Sequence, residues 1–413
     1  MRPASQRFRP IDGLRALSVL WMVIFHCIYY LGAFIPRDEY VRILQNPALR
    51  LFLQGHFGVD IFFVISGFLI TSLLLKERHT SEGISLRGFY IRRAFRILPA
   101  YAIVLLLGLL VLGREANAGN AWANLLFVNN FFPFREQYLP WTWSLAIEEQ
   151  FYLVFPVVLI GLHAALKSQR HVMAVFAGAL GAGFVVNYFL MHAHQIYTPP
   201  PLHTVLGEQD FYRYIDGVYD KTYTRYGGIL CGVLVAYLAE SKRLLSALLR
   251  HPKSARAGLL GCLAVIGALV VQPMYVSADQ SIPREIFVIY VASIRYVFAM
   301  LVGYVVLYMW AQAQGGALTQ GRGRREGLVS RLLSARGWVP VAECSYGAYL
   351  LHPLVILCVY HGMPIGEPDF ASLGLRFAIV YVVTFTAAYL LYYAVERPFC
   401  ERGRRLAHAR SQR

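Results

Sequence analysis

A single histidine interrupts the first apolar stretch of the chain, in the run Asp12-Gly-Leu-Arg15 that continues through apolar residues to His26. An ionisable side chain inside a membrane-length apolar segment is costly and by default marks a functional position. Eleven residues separate Arg15 from His26, close to three whole helical turns, so Asp12, Arg15 and His26 share one face of a helix. That stripe would set a cation and a carboxylate near one membrane surface and a candidate proton acceptor deep inside.

Four other strings carry comparable groups. In Gly58-Val-Asp60-Ile-Phe-Phe-Val-Ile-Ser66-Gly67, Asp60 falls near the opposite surface and needs a partner or water. Ser66 and Gly67 fall at mid-depth, where small residues most often just let helices approach. In Phe89-Tyr-Ile-Arg92-Arg93-Ala-Phe-Arg96, Arg93 and Arg96 are neighbours on one face. Planar guanidinium groups so placed, with Arg92 beside them, can grip phosphate bidentately; juxtamembrane arginines also serve as plain topological anchors. In Trp141-Thr-Trp143-Ser144-Leu-Ala-Ile-Glu148-Glu149, Ser144 and Glu148 face the same way under an aromatic rim. A helix start favours acids through its dipole, which accounts for one carboxylate of the pair but not both. In Ser345-Tyr-Gly-Ala-Tyr349-Leu-Leu-His352, Ser345, Tyr349 and His352 fall on one stripe. A hydrogen-bonded packing histidine is the plain alternative for His352.

The elements that must position these groups follow from composition. The chain has 413 residues, 57% hydrophobic and 15% charged, with a mean hydropathy of +0.48, too apolar for a soluble domain. Apolar stretches of about 20 residues, enough to cross a hydrocarbon core of roughly 30 Å, recur throughout. The expectation is an all-α, polytopic membrane protein with about ten transmembrane helices, at 12–31, 57–75, 90–112, 141–163, 172–191, 223–239, 257–275, 286–310, 340–361 and 372–396. A net charge of +16 could suggest nucleic acid, but the cations form no single patch. They crowd into alternate inter-helix segments, as the positive-inside rule predicts for two cytoplasmic termini; no nucleic-acid partner is expected. One membrane-embedded domain should fill residues 1–413, with its transmembrane core at 12–396 and a basic cytoplasmic tail at 397–413. The segment 192–222, with Pro199-Pro200-Pro201, is long enough for a lid but too short for an independent fold. The six cysteines show no CxxC pair, so free thiols are expected and no metal site. The start of the chain does not read as a cleavable signal, because its apolar run is too long and lacks a small-residue cleavage site.

Taken together, the five strings resemble the acyltransferase-3 family of bacterial membrane O-acyltransferases. The likeness runs from Ile11 to Glu396 in five ordered motifs. It implies transfer of an acyl group, usually acetyl, from cytoplasmic acyl-coenzyme A to a hydroxyl of a carbohydrate or glycolipid such as O-antigen, exopolysaccharide or peptidoglycan. The setting would be the bacterial cytoplasmic (inner) membrane, with acetyl-coenzyme A as co-substrate and no permanently bound cofactor. By position it implies that Arg15 and His26 are essential, and that Arg93 and Arg96 serve the coenzyme. The chain departs from many relatives where Arg225, which opens the sixth helix, is followed by Tyr226-Gly227-Gly228 instead of an acidic residue. The esterase-like domain fused to some of them is not expected within these 413 residues.

A mechanism fits this reading. The rise from Arg15 to His26 is roughly 16 Å, comparable with the reach of a pantetheine arm. Arg93 and Arg96 would hold the phosphates while the arm threads between the first four helices to bring the thioester to His26. His26 would act as general base on the acceptor hydroxyl, with Asp12 orienting Arg15; an acyl-imidazole relay is the alternative. Cys27 is a poorer relay, roughly 100° from the His26 face. Donors for the carbonyl oxygen stay unassigned among Ser66, Tyr349 and Trp143. Glu148 and His352 would bind the acceptor near the outer mouth, with Asp60, Ser144, Glu149 and Ser345 in support. The rival class is a transporter using the same buried groups as an ion or solute path, though no internal repeat of the kind common in transporters is visible.

Overall fold

In a computed structural model of the chain, residues 8–80, 83–113, 117–197, 209–271, 283–318, 327–363, 365 and 369–408 are described. The described residues are helical, with no strand among them, as lipid requires of a chain that must satisfy its backbone internally. The principal helices are α1 (Arg9–Leu31), α2 (Phe57–Arg78), α3 (Leu86–Leu112), α4 (Trp143–Leu166), α5 (Gln169–Ala193), α6 (Gly227–Glu240), α7 (Lys242–Arg250), α8 (Pro252–Val271), α9 (Arg284–Leu318), α10 (Ser345–Gly362), α11 (Phe370–Leu391) and α12 (Arg397–His408). Pro199–Pro201, and the end of the seventh expected helix beyond Val271, lie outside the described residues.

Among the described residues, eight helical segments are long and apolar enough to cross a membrane: those of α1, α2, α3, α4, α5, α8 and α9, and the run from α11 into α12. The expected count of ten is not confirmed by length and composition, because two of the expected spans are broken. The sixth expected span is broken at Tyr226 into Thr222–Arg225 and the 14-residue α6, about 21 Å long and too short to cross alone. The ninth is broken at Cys344 into Trp338–Glu343 and the 18-residue α10. Both short helices lie inside the bundle, where neighbours cover them.

The bundle is knit by small residues at one crossing. A Cβ on Gly67 of α2 would strike the carbonyl of Ile229, and one on Gly232 of α6 would strike that of Val64, so these backbones touch directly. α10 packs between α1 and α11, and α12 lies along α3. Among the described residues two single-turn π-helices occur, Ile215–Tyr219 and Tyr392–Glu396; such turns shift the side-chain register and recur beside functional sites. Large apolar side chains remain exposed on the outside of the bundle, among them Leu110, Leu153, Phe189 and Val382, the surface expected of a protein whose solvent is lipid.

A polar strap closes one end. Lys221 pairs with Asp220 at 3.0 Å and donates to the carbonyls of Asn130 and Phe132. Gln137 donates to Asp220 at 2.8 Å, Asn130 to Thr222 at 2.8 Å, and the Phe134 backbone to Asp216 at 2.7 Å. The segment 209–226 is thereby tied to the segment 130–137.

Candidate active site

A cavity of about 1030 Å³ lies between α1, α2, α3, α4 and α10. Its cations are Arg9, Arg15, Arg93, Arg96 and Arg336, and its carboxylates are Asp12, Glu148 and Glu343. The balance favours a polyanion at the end where α1 begins. Further in, the lining turns apolar, with Met22, Val59, Ile65 and Leu145.

The strings from separate helices meet on this cavity. Arg15 Nη2 donates to Ser345 Oγ at 2.9 Å, joining α1 to α10, and Ser345 donates onward to the Ala342 carbonyl. Ser66 Oγ donates to Glu148 Oε1 at 2.6 Å and shares a 2.9 Å hydrogen bond with the Tyr152 hydroxyl. Arg93 lies over the Tyr152 ring at 5.3 Å, a cation–π contact that fixes the guanidinium without using its donors. Ser144 and the Tyr349 hydroxyl are 2.9 Å apart, and Tyr349 also donates to the Trp141 carbonyl. Ser66 and Gly67 divide the roles offered for small residues at that depth: Gly67 makes the helix crossing, and Ser66 faces the cavity.

His26 pairs with His352. His352 Nδ1 faces only carbonyl oxygens, of Tyr349 at 2.7 Å and Ala348 at 3.2 Å, so in the neutral ring it carries the proton and Nε2 is a bare acceptor. His26 Nδ1 then faces two acceptors, the Met22 carbonyl at 3.0 Å and His352 Nε2 at 3.1 Å, and must itself hold a proton. The lone pair of His26 is left on Nε2, which has no hydrogen-bond partner among the described residues. A neutral imidazole with one nitrogen anchored and the other open is the form a general base requires. The cavity lining stops at Met22 and does not include His26; one turn of α1, about 6 Å, lies between them.

Other expected groups fall elsewhere. Arg92 is absent from the cavity lining and is paired with Glu77 at 2.5 Å, so its charge is already answered. Glu149 does not line the cavity. Glu148 sits among the cavity arginines and His352 against His26, which separates two residues expected together at the outer mouth. Asp60 and Trp143 belong to a buried cluster beyond the cavity wall: Asp60 receives Arg225 at 3.2 Å and Arg295 at 2.6 Å. The Trp143 ring lies 5.1 Å from the Arg225 guanidinium.

The sequence reading passed over Arg9, Arg336, Glu343, Tyr152 and Tyr392 on the cavity, and Arg295 in the cluster. Arg295 carried a signal, since it is a lone cation within the apolar run of α9, the same feature that singled out His26. Among the described residues no group of three His, Cys, Asp or Glu side chains is placed to hold a metal ion.

Residues 9–393 match a family model described as an acyltransferase domain. The chain is 33% identical, over 57% of its length, to a provisionally named O-acetyltransferase, SAS0844, of Staphylococcus aureus, and covers 35% of that protein. It is similar at 33% identity, over 49% of its length, to the O-acetyltransferase OatA of Staphylococcus aureus, covering 34% of it. It is 27% identical, over 95% of its length, to the nose resistant to fluoxetine protein 6 of Caenorhabditis elegans, covering 51% of that chain. The chain thus spans between a third and half of the length of these relatives. No solved structure matches it.

Proposed function

Because the chain belongs to the acyltransferase-3 family, we propose that it transfers an acyl group, acetyl by preference, from acyl-coenzyme A to a carbohydrate hydroxyl of the cell envelope. The observation that carries this reading is the cation-mouthed cavity of about 1030 Å³ that ends one helical turn from a neutral histidine with an open Nε2. Coenzyme A is a polyanion on a long flexible arm. Arg93 and Arg96, with Arg9 and Arg336 at the same cavity, would take its phosphates by charge-assisted hydrogen bonds, and the apolar inner half would take the pantetheine arm. The names of the bacterial relatives, O-acetyltransferases, support an acetyl group and an oxygen acceptor. The reading places both termini in the cytoplasm of a bacterial cell and the bundle in its inner membrane, with the two short helices completing ten membrane-embedded segments.

In the reaction, His26 Nε2 takes the acceptor hydroxyl proton as that oxygen attacks the thioester carbonyl. The C–S bond then breaks, and the departing thiolate recovers the proton from His26 to leave as coenzyme A. His352 Nε2 accepts from His26 Nδ1 throughout, and its hold strengthens when His26 becomes imidazolium. Ser66, Glu148 and Tyr152 form a polar shelf beside the path of the thioester, and Arg15, locked to Ser345, sets the spacing of α1 and α10 around it.

The test is His26→Ala in purified protein. Loss of a general base lowers turnover by about 10² to 10⁴, so transfer from acetyl-coenzyme A should fall at least a hundredfold while the melting temperature holds. Near-normal transfer by the folded variant overturns the assignment.

A further inference from the structure

Behind the cavity wall, the Asp60 cluster sets one carboxylate between two guanidinium groups among the described residues. Asp60 is 2% exposed, Arg225 4% and Arg295 9%; one carboxylate serves two guanidinium groups, through Oδ1 to Arg225 and Oδ2 to Arg295. Arg295 is further engaged with His56 Nδ1 at 3.4 Å. Arg225 is different. Its Nη2 is within ion-pair range of Asp60, yet none of Nε, Nη1 and Nη2 makes an aligned hydrogen bond, and all three atoms are buried. What surrounds it is aromatic: Trp143 at 5.1 Å, Tyr219 at 5.2 Å and Phe63 at 6.0 Å from the guanidinium carbon. Ring faces attract the cation but offer its N–H groups no acceptor. Buried guanidinium N–H groups without acceptors are costly, and a second oxyanion would supply the acceptors that the rings do not.

We propose that Arg225 binds an oxyanion carried by the acceptor, so that the hydroxyl acylated here belongs to an acidic sugar unit bearing a carboxylate or a phosphate. The inference rests on the acyl-transfer reading and names its substrate class.

The placement suits an acceptor subsite. Phe63 lines the donor cavity and also flanks Arg225, and Trp143 precedes the cavity residue Ser144, so the two compartments stand back to back across one partition. His56 brings the cluster next to the catalytic pair: its ring and that of His26 lie on the same Phe25 ring, at 5.5 and 5.0 Å. Of the rings around Arg225, Trp143 and Phe63 are buried and Tyr219 is half-buried. Tyr219 also covers Arg295 at 4.9 Å and ends the π-turn Ile215–Tyr219. Tyr219 is thus the least buried of the three rings, and a space of about 10 Å³ lies against Asp60, Thr224, Arg225 and Arg295, about one water's worth.

The experiment uses the full chain in lipid nanodiscs with acetyl-coenzyme A and three acceptors of one sugar skeleton: methyl glucoside, methyl glucuronide and the 6-phosphate of methyl glucoside. Acetyl-ester product is measured by mass spectrometry. Wild type should prefer at least one charged acceptor over the neutral one tenfold or more in kcat/KM, and the two charged arms identify carboxylate or phosphate. Arg225→Gln should reduce that preference at least tenfold, and Arg225→Lys should restore part of it. Equal use of all three acceptors by wild type, or a preference untouched in folded Arg225→Gln, overturns the proposal. If Arg225→Gln fails to fold, wild type decides: the preferred charged glycoside must compete with the neutral acceptor and not with acetyl-coenzyme A, and absence of that competition overturns the site. Acetyl-coenzyme A consumed without charge preference removes the anion site alone. If no acceptor or water draws on acetyl-coenzyme A, the acyl-transfer reading falls as well.

Discussion

Replacing His352 separates a residue that holds the base from one that is the base. His352 Nε2 accepts from His26 Nδ1 at 3.1 Å, while the Met22 carbonyl accepts from the same nitrogen at 3.0 Å. Without His352 the Met22 carbonyl still fixes the proton on Nδ1, so the lone pair stays on Nε2 and the base survives. What is lost is the second acceptor when His26 becomes imidazolium. A neutral hydrogen bond contributes about 1 kcal/mol net and one to a charged group about 1.5–3 kcal/mol. The difference, about 0.5–2 kcal/mol, is the extra stabilisation of the transition state. It corresponds to a fall in kcat of roughly 2- to 30-fold, well short of that for His26→Ala. The assay is acetyl transfer by His352→Gln and His352→Ala, with KM for acetyl-coenzyme A expected to hold because neither histidine lines the donor cavity. Because His352 is fully buried, melting temperatures accompany the kinetics. A folded His352→Ala with unchanged kcat refutes the reasoning, as does one as inactive as His26→Ala; His352→Gln, whose Oε1 can still accept from His26 Nδ1, should fall less than His352→Ala.

Three further predictions follow from other parts of the structure. Arg93→Ala and Arg96→Ala should each raise KM for acetyl-coenzyme A about tenfold, the value of one charge-assisted contact. Arg92→Ala, whose partner is Glu77, should change it less than threefold, and equal effects at all three positions would contradict the division. Gly67→Ala drives a methyl into the Ile229 carbonyl and should cost about 1–3 kcal/mol, read as a lower midpoint of thermal unfolding in detergent; an unchanged midpoint would show that the α2–α6 crossing yields freely. Burial pushes the Asp220 carboxyl up to about 6, against attraction from Lys221 and Gln137. A folded value above the ordinary one of about 3.9 means that this group's contribution to stability is full below about pH 4 and is lost as pH rises to 6. Relative to Asp220→Asn, wild type should lose about 3 kcal/mol over that window and nothing beyond it. A pH-independent difference between the two would refute the assignment.

The contacts between α1 and α10 were legible because they lie on regular helices. Arg15 and His26 meet Ser345 and His352, with each pair set on one stripe of its own helix, so a period of 3.6 located all four without knowledge of the packing. Tyr392, the first residue of the π-turn Tyr392–Glu396, lines the cavity outside the five strings in which the period was read. Arg336 was hidden for another reason. It sits in a basic segment where positive-inside bias alone accounts for arginine, and composition cannot tell a topological cation from one lining a cavity. The break at Tyr226 was also invisible to hydropathy: Thr222 to Glu240 reads as one span. At the break, a Cβ on Gly227 would meet the Tyr296 ring, so the small residue there serves contact with α9.

Arg225 is followed by Tyr226-Gly227-Gly228, with no acid in the next turn. An acid in the next turn of the same helix would answer Arg225 locally. Here the answer comes from Asp60, one helix away and shared with Arg295, and the Arg225 N–H groups are left without an aligned acceptor at a site separated from the donor cavity by a single aromatic partition. The polar strap has a matching role. Lys221, four residues before Arg225, is pinned to the Asn130 and Phe132 carbonyls, and Asn130 also accepts from Gln150 of α4. The cation of the outer cluster and the helix that carries Glu148 are therefore held in one register. Cutting the strap, as in Asn130→Ala, should disturb the acceptor before the donor: KM for acetyl-coenzyme A should stay within about twofold while KM for the acceptor rises several-fold. The reverse order would mean that the strap supports the cavity and that the cluster stands apart from it.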